Sequence, residues 1–249
     1  MFLENNELYK LFGQSQDDTN KHSDDKLKEE FKADCNRLSK IAKEHLPLFK
    51  SAYKNLNKNV THKEYSSGGE LLTRGYYCPS PVIDIITGNL NRGKLLKRLT
   101  SLSKPTYEYC FDKDNKLILI NYLHSDCTEI LEYENNTVIG ITFSTKTNEI
   151  VCVSECVYDD CDRIVLLVIS HSSFNDCCMD EIHKETYTYN QQGLYTTVVY
   201  DYLDNDNCST LNYDRYEFKH DEDGFLSEYS SYPSSLKDDT YKVYVKRKV

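Results

Sequence analysis

Gly88, Gly93 and Lys94 stand in the spacing G-x-x-x-x-G-K within PVIDIITGNLNRGKLLKRL, residues 81 to 99. A phosphate-binding loop uses this order, because glycines bring backbone N–H groups close to phosphate oxygens and the lysine neutralises them. The strand-like VIDII before the loop and KLLKRL as a helix after it would complete the unit. The next residue should be Ser or Thr to hold magnesium, and it is Leu95. No alternation of strand and helix follows, so the competing reading is a glycine-turned hairpin or strand-to-helix junction. Its basic residues Arg92, Lys94, Lys97 and Arg98 would then face an acidic surface, the chain's own sheet included.

Carboxylates offer a second chemistry. Asp159, Asp160 and Asp162, then Asp201, Asp204 and Asp206, then Asp221, Glu222 and Asp223 form three clusters near tyrosines. A glycosidase needs two carboxylates facing across a cleft, but these lie in turns, where Asp favours the turn itself. A calcium loop is a poor match, since DNDNCSTLNYD lacks the central Gly and terminal Glu. The seven histidines are dispersed, and His171 with Cys177 or Cys178 is the nearest approach to a thiol and base. For zinc, the candidates are Cys152, Cys156, Cys161, Cys177, Cys178 and His171. No C-x-x-C pair occurs among the ten cysteines, so they read as reduced thiols, mostly core filler, with no metal or cofactor expected.

Charge is divided along the chain. Residues 1–105 hold 18 Lys+Arg against 13 Asp+Glu, a net of +5, while residues 106–249 hold 12 against 27, a net of −15. The acidic part repels nucleic-acid phosphates and draws basic proteins toward it. A solubilised sheet face would carry the same surplus. No apolar run approaches the ~20 residues of a membrane helix, and MFLENNELYKLFG has glutamates where a secretory signal would be basic. The expectation is a cytoplasmic chain with no membrane or nucleic-acid partner.

The elements that must position these groups are of two kinds. Residues 3–12 read as a short helix and 14–25 as a polar linker. From Asp24, Leu27, Phe31, Cys35, Leu38, Ile41 and Ala42 place apolar side chains on one helical face; Pro47 interrupts it and LFKSAYKNL resumes. From about residue 107 the period changes to two. YEYCF, KLILINYL, TEILEY, TVIGITF, EIVCVSECVY, RIVLLVIS, EIHKETYTY, GLYTTVVYDYL, NYDRYEFKH, GFLSEYSSY and TYKVYVKRK are strands separated by turn signals such as DKDN, ENN, DDCD, NQQG and DEDG. About eleven strands without a helical crossover make an antiparallel meander. Sixteen of the 21 tyrosines lie here, with rings packed across strands and hydroxyls expected to stay wet.

YEYCFDKDNKLILINY, YTYNQQGLYTTVVY and YEFKHDEDGFLSEYSSY share a form: aromatic-x-aromatic, a polar turn, an apolar residue, then Tyr. Over residues 107–232 this resembles the YD-type hairpin repeats of bacterial Rhs-like proteins and the small cytoplasmic immunity proteins of polymorphic toxin systems. The irregular spacing and the small number of units depart from an encapsulating shell. The resemblance implies an immunity-type inhibitor that covers a cognate toxin, and an acidic surface suits a basic target such as a nuclease.

The resulting expectation is an α+β protein of one structural domain, with a helical region over 1–60 packed on a large antiparallel meander over 61–249, curled toward a half-barrel. It is read as non-catalytic and monomeric. The expected partner contacts are Asp159, Asp160, Asp162, Asp201, Asp204 and Asp206, with Tyr158, Tyr200 and Tyr202 as exposed anchors. The alternative is an enzyme, either a carboxylate hydrolase or a phosphate-binding protein using Gly88, Gly93 and Lys94.

Overall fold

The computed structural model describes residues 21–69, 72–86, 92–172, 179–205, 208–233 and 241–244. The helix read at 3–12, Gly88, Cys177, Cys178 and Asp206 lie outside the described residues. Helix α1 (Lys21–His45) is followed by a 3-10 turn at Leu46–Leu48 and by α2 (Phe49–Lys58). Pro47 causes the interruption, because it lacks the N–H that a continuing helix would use. Phe31, Cys35, Leu38 and Ala42 recur at helical spacing and are all buried, so one stripe of α1 faces inward.

The strands are β1 (His62–Ser67), β2 (Lys94–Leu95), β3 (Tyr107–Phe111), β4 (Leu117–Tyr122), β5 (Cys127–Glu134), β6 (Thr137–Ser144), β7 (Ile150–Tyr158), β8 (Ile164–Ser172), β9 (Met179–Asn190), β10 (Gly193–Asn205), β11 (Cys208–His220), β12 (Leu226–Pro233) and β13 (Tyr241–Tyr244). They form a single 13-stranded sheet in which β3 to β13 follow one another in chain order, with β1 beside β3 and β2 outermost. Every pairing is antiparallel. The ends of the order, β13 and β2, do not pair with each other, so the sheet is open and not a barrel.

Two cores result, one on each face. On the first, Phe31, Leu38, Ala42 and Phe49 pack against Leu119, Ile130, Ile141, Phe143, Val153, Val168, Ile182 and Tyr202. Phe49 stacks on Phe143 with centroids 3.9 Å apart, and Phe31 lies 5.3 Å from the Tyr202 ring. Ion pairs at the helix margin set its crossing over the sheet: Lys184–Asp34 at 2.9 Å and Arg37–Glu155 at 2.7 Å. The Ser39 hydroxyl accepts the Met179 N–H at 2.9 Å.

The second face is covered by irregular chain between β1 and β2. This segment includes a 3-10 turn at Gly75–Tyr77 and a short helix α3 (Ile83–Ile86). VIDII, read from sequence as strand-like, therefore contributes that helix. The reason is packing: Val82 and Ile83 are buried, and Val82 joins Tyr107, Tyr109, Tyr122, Leu131, Val138, Leu167, Tyr187 and Val199 in the second core. The tyrosine hydroxyls are also placed differently from expectation. Tyr109, Tyr122 and Tyr187 are buried, and their hydroxyls bond Ser66 and the Arg74 carbonyl, Glu129, and Glu185 respectively.

Candidate functional site

The charged groups on the second face are assembled by the covering segment. Arg74 adopts a left-handed backbone with φ of 67°, followed by Gly75 at 53°. A side chain at Gly75 would collide with the Tyr107 ring and the Tyr109 hydroxyl, so the backbone lies directly on those aromatics. This places the Arg74 side chain, 5% exposed, against the sheet. Its Nε donates to Glu129 Oε1 at 2.8 Å, Nη2 to Ser154 Oγ at 2.7 Å, and Nη1 to Cys156 Sγ at 3.5 Å. Tyr122 donates to the second oxygen of Glu129 at 2.8 Å. Glu129 is itself 2% exposed.

Burial opposes the charge on Arg74, but Glu129 outweighs it and holds the guanidinium well above its ordinary value. The space for the pair comes from Gly140 on β6. A Cβ there would land on the Glu129 carboxylate, the Arg74 guanidinium and the Ser154 hydroxyl.

A second anchor lies further along. Ser80 donates to Glu185 Oε2 at 2.8 Å, and Tyr187 donates to the same oxygen at 2.5 Å. His183 Nε2 lies 2.9 Å from Glu185 Oε1, and its Nδ1 lies 2.8 Å from Asp201 Oδ1. A ring with a carboxylate at each nitrogen donates at both, which is the imidazolium form. Burial works against that charge, but Asp201 and Glu185 overcome it and raise the value to about 10. Arg92 closes the covering segment by pairing with Asp84 at 3.0 Å and donating to the carbonyls of Cys78 and Ser80.

This arrangement anchors a loop; its groups are committed to one another. His183 is held protonated through the neutral range, so it has no lone pair with which to act as a base. Burial pushes the Cys78 thiol up to about 12 and raises the Cys156 thiol as well, which keeps both out of the nucleophilic thiolate form. Gly93 and Lys94 lie beside β1, with Lys94 paired to Ser67 and a Gly93 Cβ barred by the Ser67 and Gly68 backbone. A two-residue antiparallel strand takes the place of the helix that a phosphate loop would enter. Among the described residues, no group of three or more His, Cys, Asp or Glu is placed to hold a metal ion.

The aspartate clusters separate into two regions. In an antiparallel meander, the turns after β3, β5, β7, β9 and β11 all lie at one end of the sheet. Three of them share one wiring. Asp112, Asp159 and Asp221 each accept backbone N–H groups two and four residues on, at 2.9–3.1 Å. The third position after each has positive φ: Asn115, Asp162 and Gly224. The repeat seen in sequence as DKDN, DDCD and DEDG is thus one turn used three times. Asp159 is occupied within its turn and pairs with Arg163 at 2.7 Å, which holds its carboxyl below the ordinary value. Asp160, Asp162, Asp221, Glu222 and Asp223 are exposed at that end.

Asp201 and Asp204 lie toward the opposite end. They are displaced along β10 from Gly193 by roughly 25–35 Å at strand rise, so the two clusters occupy opposite ends of the sheet. Asp201 is bonded to His183. Tyr158 and Tyr200 are half-buried, and Tyr202 is 1% exposed beneath α1, so Tyr202 is core and not an exposed anchor. Sequence reading missed Arg74, Glu129 and Glu185. The available signal was a carboxylate sharing a strand face with a large side chain two residues on, Glu129 with Leu131 in TEILEY and Glu185 with Tyr187 in HKETYTY. Neither the family models nor the curated proteins contain a match to this chain.

Proposed function

We propose that this chain is a non-catalytic cytoplasmic protein-binding protein that takes a basic partner at the acidic end of its sheet, and that the partner is a cognate toxin such as a nuclease. The observation that carries this reading is the row of Asp-wired turns. It presents Asp160, Asp162, Asp221, Glu222 and Asp223 to solvent from hydrogen-bonded turns, whereas the buried charges anchor the covering segment. Carboxylates held in fixed turns imitate a phosphate row and cost little ordering on binding. The chain acts as a monomer that covers the active surface of its target.

The test is an affinity pull-down from the native host eluted in steps of salt, repeated with Asp160→Lys, Asp162→Lys, Glu222→Lys and Asp223→Lys combined. The expected result is a stoichiometric basic partner released only at high salt, with its affinity lowered at least about tenfold by the four reversals. Unchanged affinity would remove the acidic end as the site.

A further inference from the structure

The loop between β2 and β3 carries charge opposite to that of the strands that follow it, residues 106–249 having a net of −15. From residue 85 to residue 107 the sequence has Arg92, Lys94, Lys97, Arg98 and Lys104 and no carboxylate, in a chain whose net charge is −10. Arg92 is used in its pair with Asp84. Lys94, Lys97, Arg98 and Lys104 are exposed and take part in no ion pair among the described residues. Among them stand Leu99, 48% exposed, and Leu102, at 88% the most exposed of the large apolar side chains described. Single exposed leucines are ordinary on protein surfaces; two within four residues, flanked by four free cations, are a pattern.

The loop is built to hold this tip in place. Its roots are fixed where Leu96 N–H donates to the Tyr65 carbonyl at 2.8 Å and Thr106 N–H donates to the Ser66 carbonyl at 2.7 Å. Its crest is closed by Ser103 N–H to the Thr100 carbonyl at 3.0 Å and by Thr100 N–H to the Ser103 hydroxyl at 2.9 Å. Leu123, 44% exposed, follows β4 and bonds through its N–H to the Thr106 carbonyl, adding a third leucine at the root.

We propose that this leucine-tipped basic loop docks the protein on an anionic lipid surface. A bilayer interface accepts apolar side chains and sets anionic headgroups around them, while lysine and arginine stems lie along the boundary with their charges in the headgroup layer. Leu99 and Leu102 stand exposed at the crest of the loop, and a bilayer receives exposed apolar side chains without a shaped socket. Screening confines the relevant field to roughly 8 Å, so the local cations decide the contact and the distant carboxylates do not. The loop lies at the end of the sheet opposite the Asp-wired turns, so docking leaves the acidic end facing away from the membrane. The expectation against a membrane partner concerned spanning segments, which a peripheral contact does not need. The proposal is independent of the toxin-binding reading.

The experiment uses the full chain with vesicles of phosphatidylcholine alone and with three-tenths phosphatidylglycerol. The expected result is co-flotation with the anionic vesicles at about 0.15 M salt, where the screening length is about 8 Å, absent from the neutral ones. Leu99→Ser with Leu102→Ser, and separately Lys97→Glu with Arg98→Glu, should each weaken it at least about tenfold. The chain has no tryptophan, so Leu102→Trp supplies a single reporter whose emission shifts to the blue on anionic vesicles. Leu48→Trp, at a position 58% exposed on the helical turn and outside the basic loop, should not shift. Absence of flotation, equal flotation on neutral vesicles, or flotation untouched by both pairs would overturn the proposal, as would an acidic protein partner captured by the loop without any shift at Leu102→Trp.

Discussion

The two faces of the sheet are covered by different kinds of chain and are held by different forces. On one face α1 and α2 satisfy their own backbone hydrogen bonds, so they can offer the sheet a stripe of hydrocarbon and aromatic rings, with ion pairs left at the margin. On the other face the covering segment is mostly irregular. Its backbone must find partners, and polar side chains are carried inward with it. Tyr109 accepts the Tyr76 N–H and donates to the Arg74 carbonyl, Arg74 meets Glu129, and Ser80 meets Glu185. Regular structure can be buried by apolar contact alone, whereas an irregular strap is fixed by discrete bonds at a few points. The first kind of cover spreads its stability over many apolar contacts; the second concentrates it in a few buried polar pairs.

The largest effect is expected at Arg74. Arg74→Met removes the cation that faces the buried Glu129 carboxyl, and is expected to cost about 3–5 kcal/mol in denaturant unfolding. Adding Glu129→Leu should recover more than half of the loss; equal losses in the single and double variants would mean that the pair is not the anchor. Phe49→Ala on the helical face should cost about 3–5 kcal/mol by removing a ring stacked on Phe143. Combined with Arg74→Met it should add within about 0.5 kcal/mol, because the two sites share no partner. A large coupling between them would show that the faces act as one core.

Smaller effects sharpen the same contrast. Gly140→Ala places a methyl group in the space of the buried pair, with an expected cost of about 1–3 kcal/mol. No such penalty should follow at the exposed Gly224, apart from backbone strain at its positive φ. The His183 anchor gives a pH signature. Its value is raised from 6.5 to about 10 in the folded chain, so its stabilisation is complete below about 6.5 and is lost as pH rises through 10. Relative to His183→Gln, the wild-type midpoint should fall between pH 7 and pH 10; a constant difference across that window would exclude a charged His183.

Much of the architecture was legible in the order of residues. The change from a helical to a two-residue period near 107 marks where the meander begins, and the eleven strands read from there correspond to β3 through β13. Phe31, Cys35, Leu38 and Ala42 announced a buried helical stripe, and Pro47 marked its end. The Asp-turn repeat was visible as a composition, although its shared hydrogen-bond wiring was not. β1 and β2 escaped notice, since HKEYSS has few apolar residues and β2 is two residues long.

The periodic elements follow from the order of residues alone, because periodicity is a property of near neighbours and each hairpin closes over a few residues. So does the charge divided between the two parts of the chain. Which residues act together is set by the folded arrangement. Arg74 meets Glu129 across 55 positions and Ser154 across 80, and Gly140 leaves the room in which they meet. It likewise assigned the aspartates to opposite ends of the sheet and placed Tyr202 in the core. Contacts between segments that are distant in sequence depend on strand order, register and the path of the covering loop, and no local pattern carries that information.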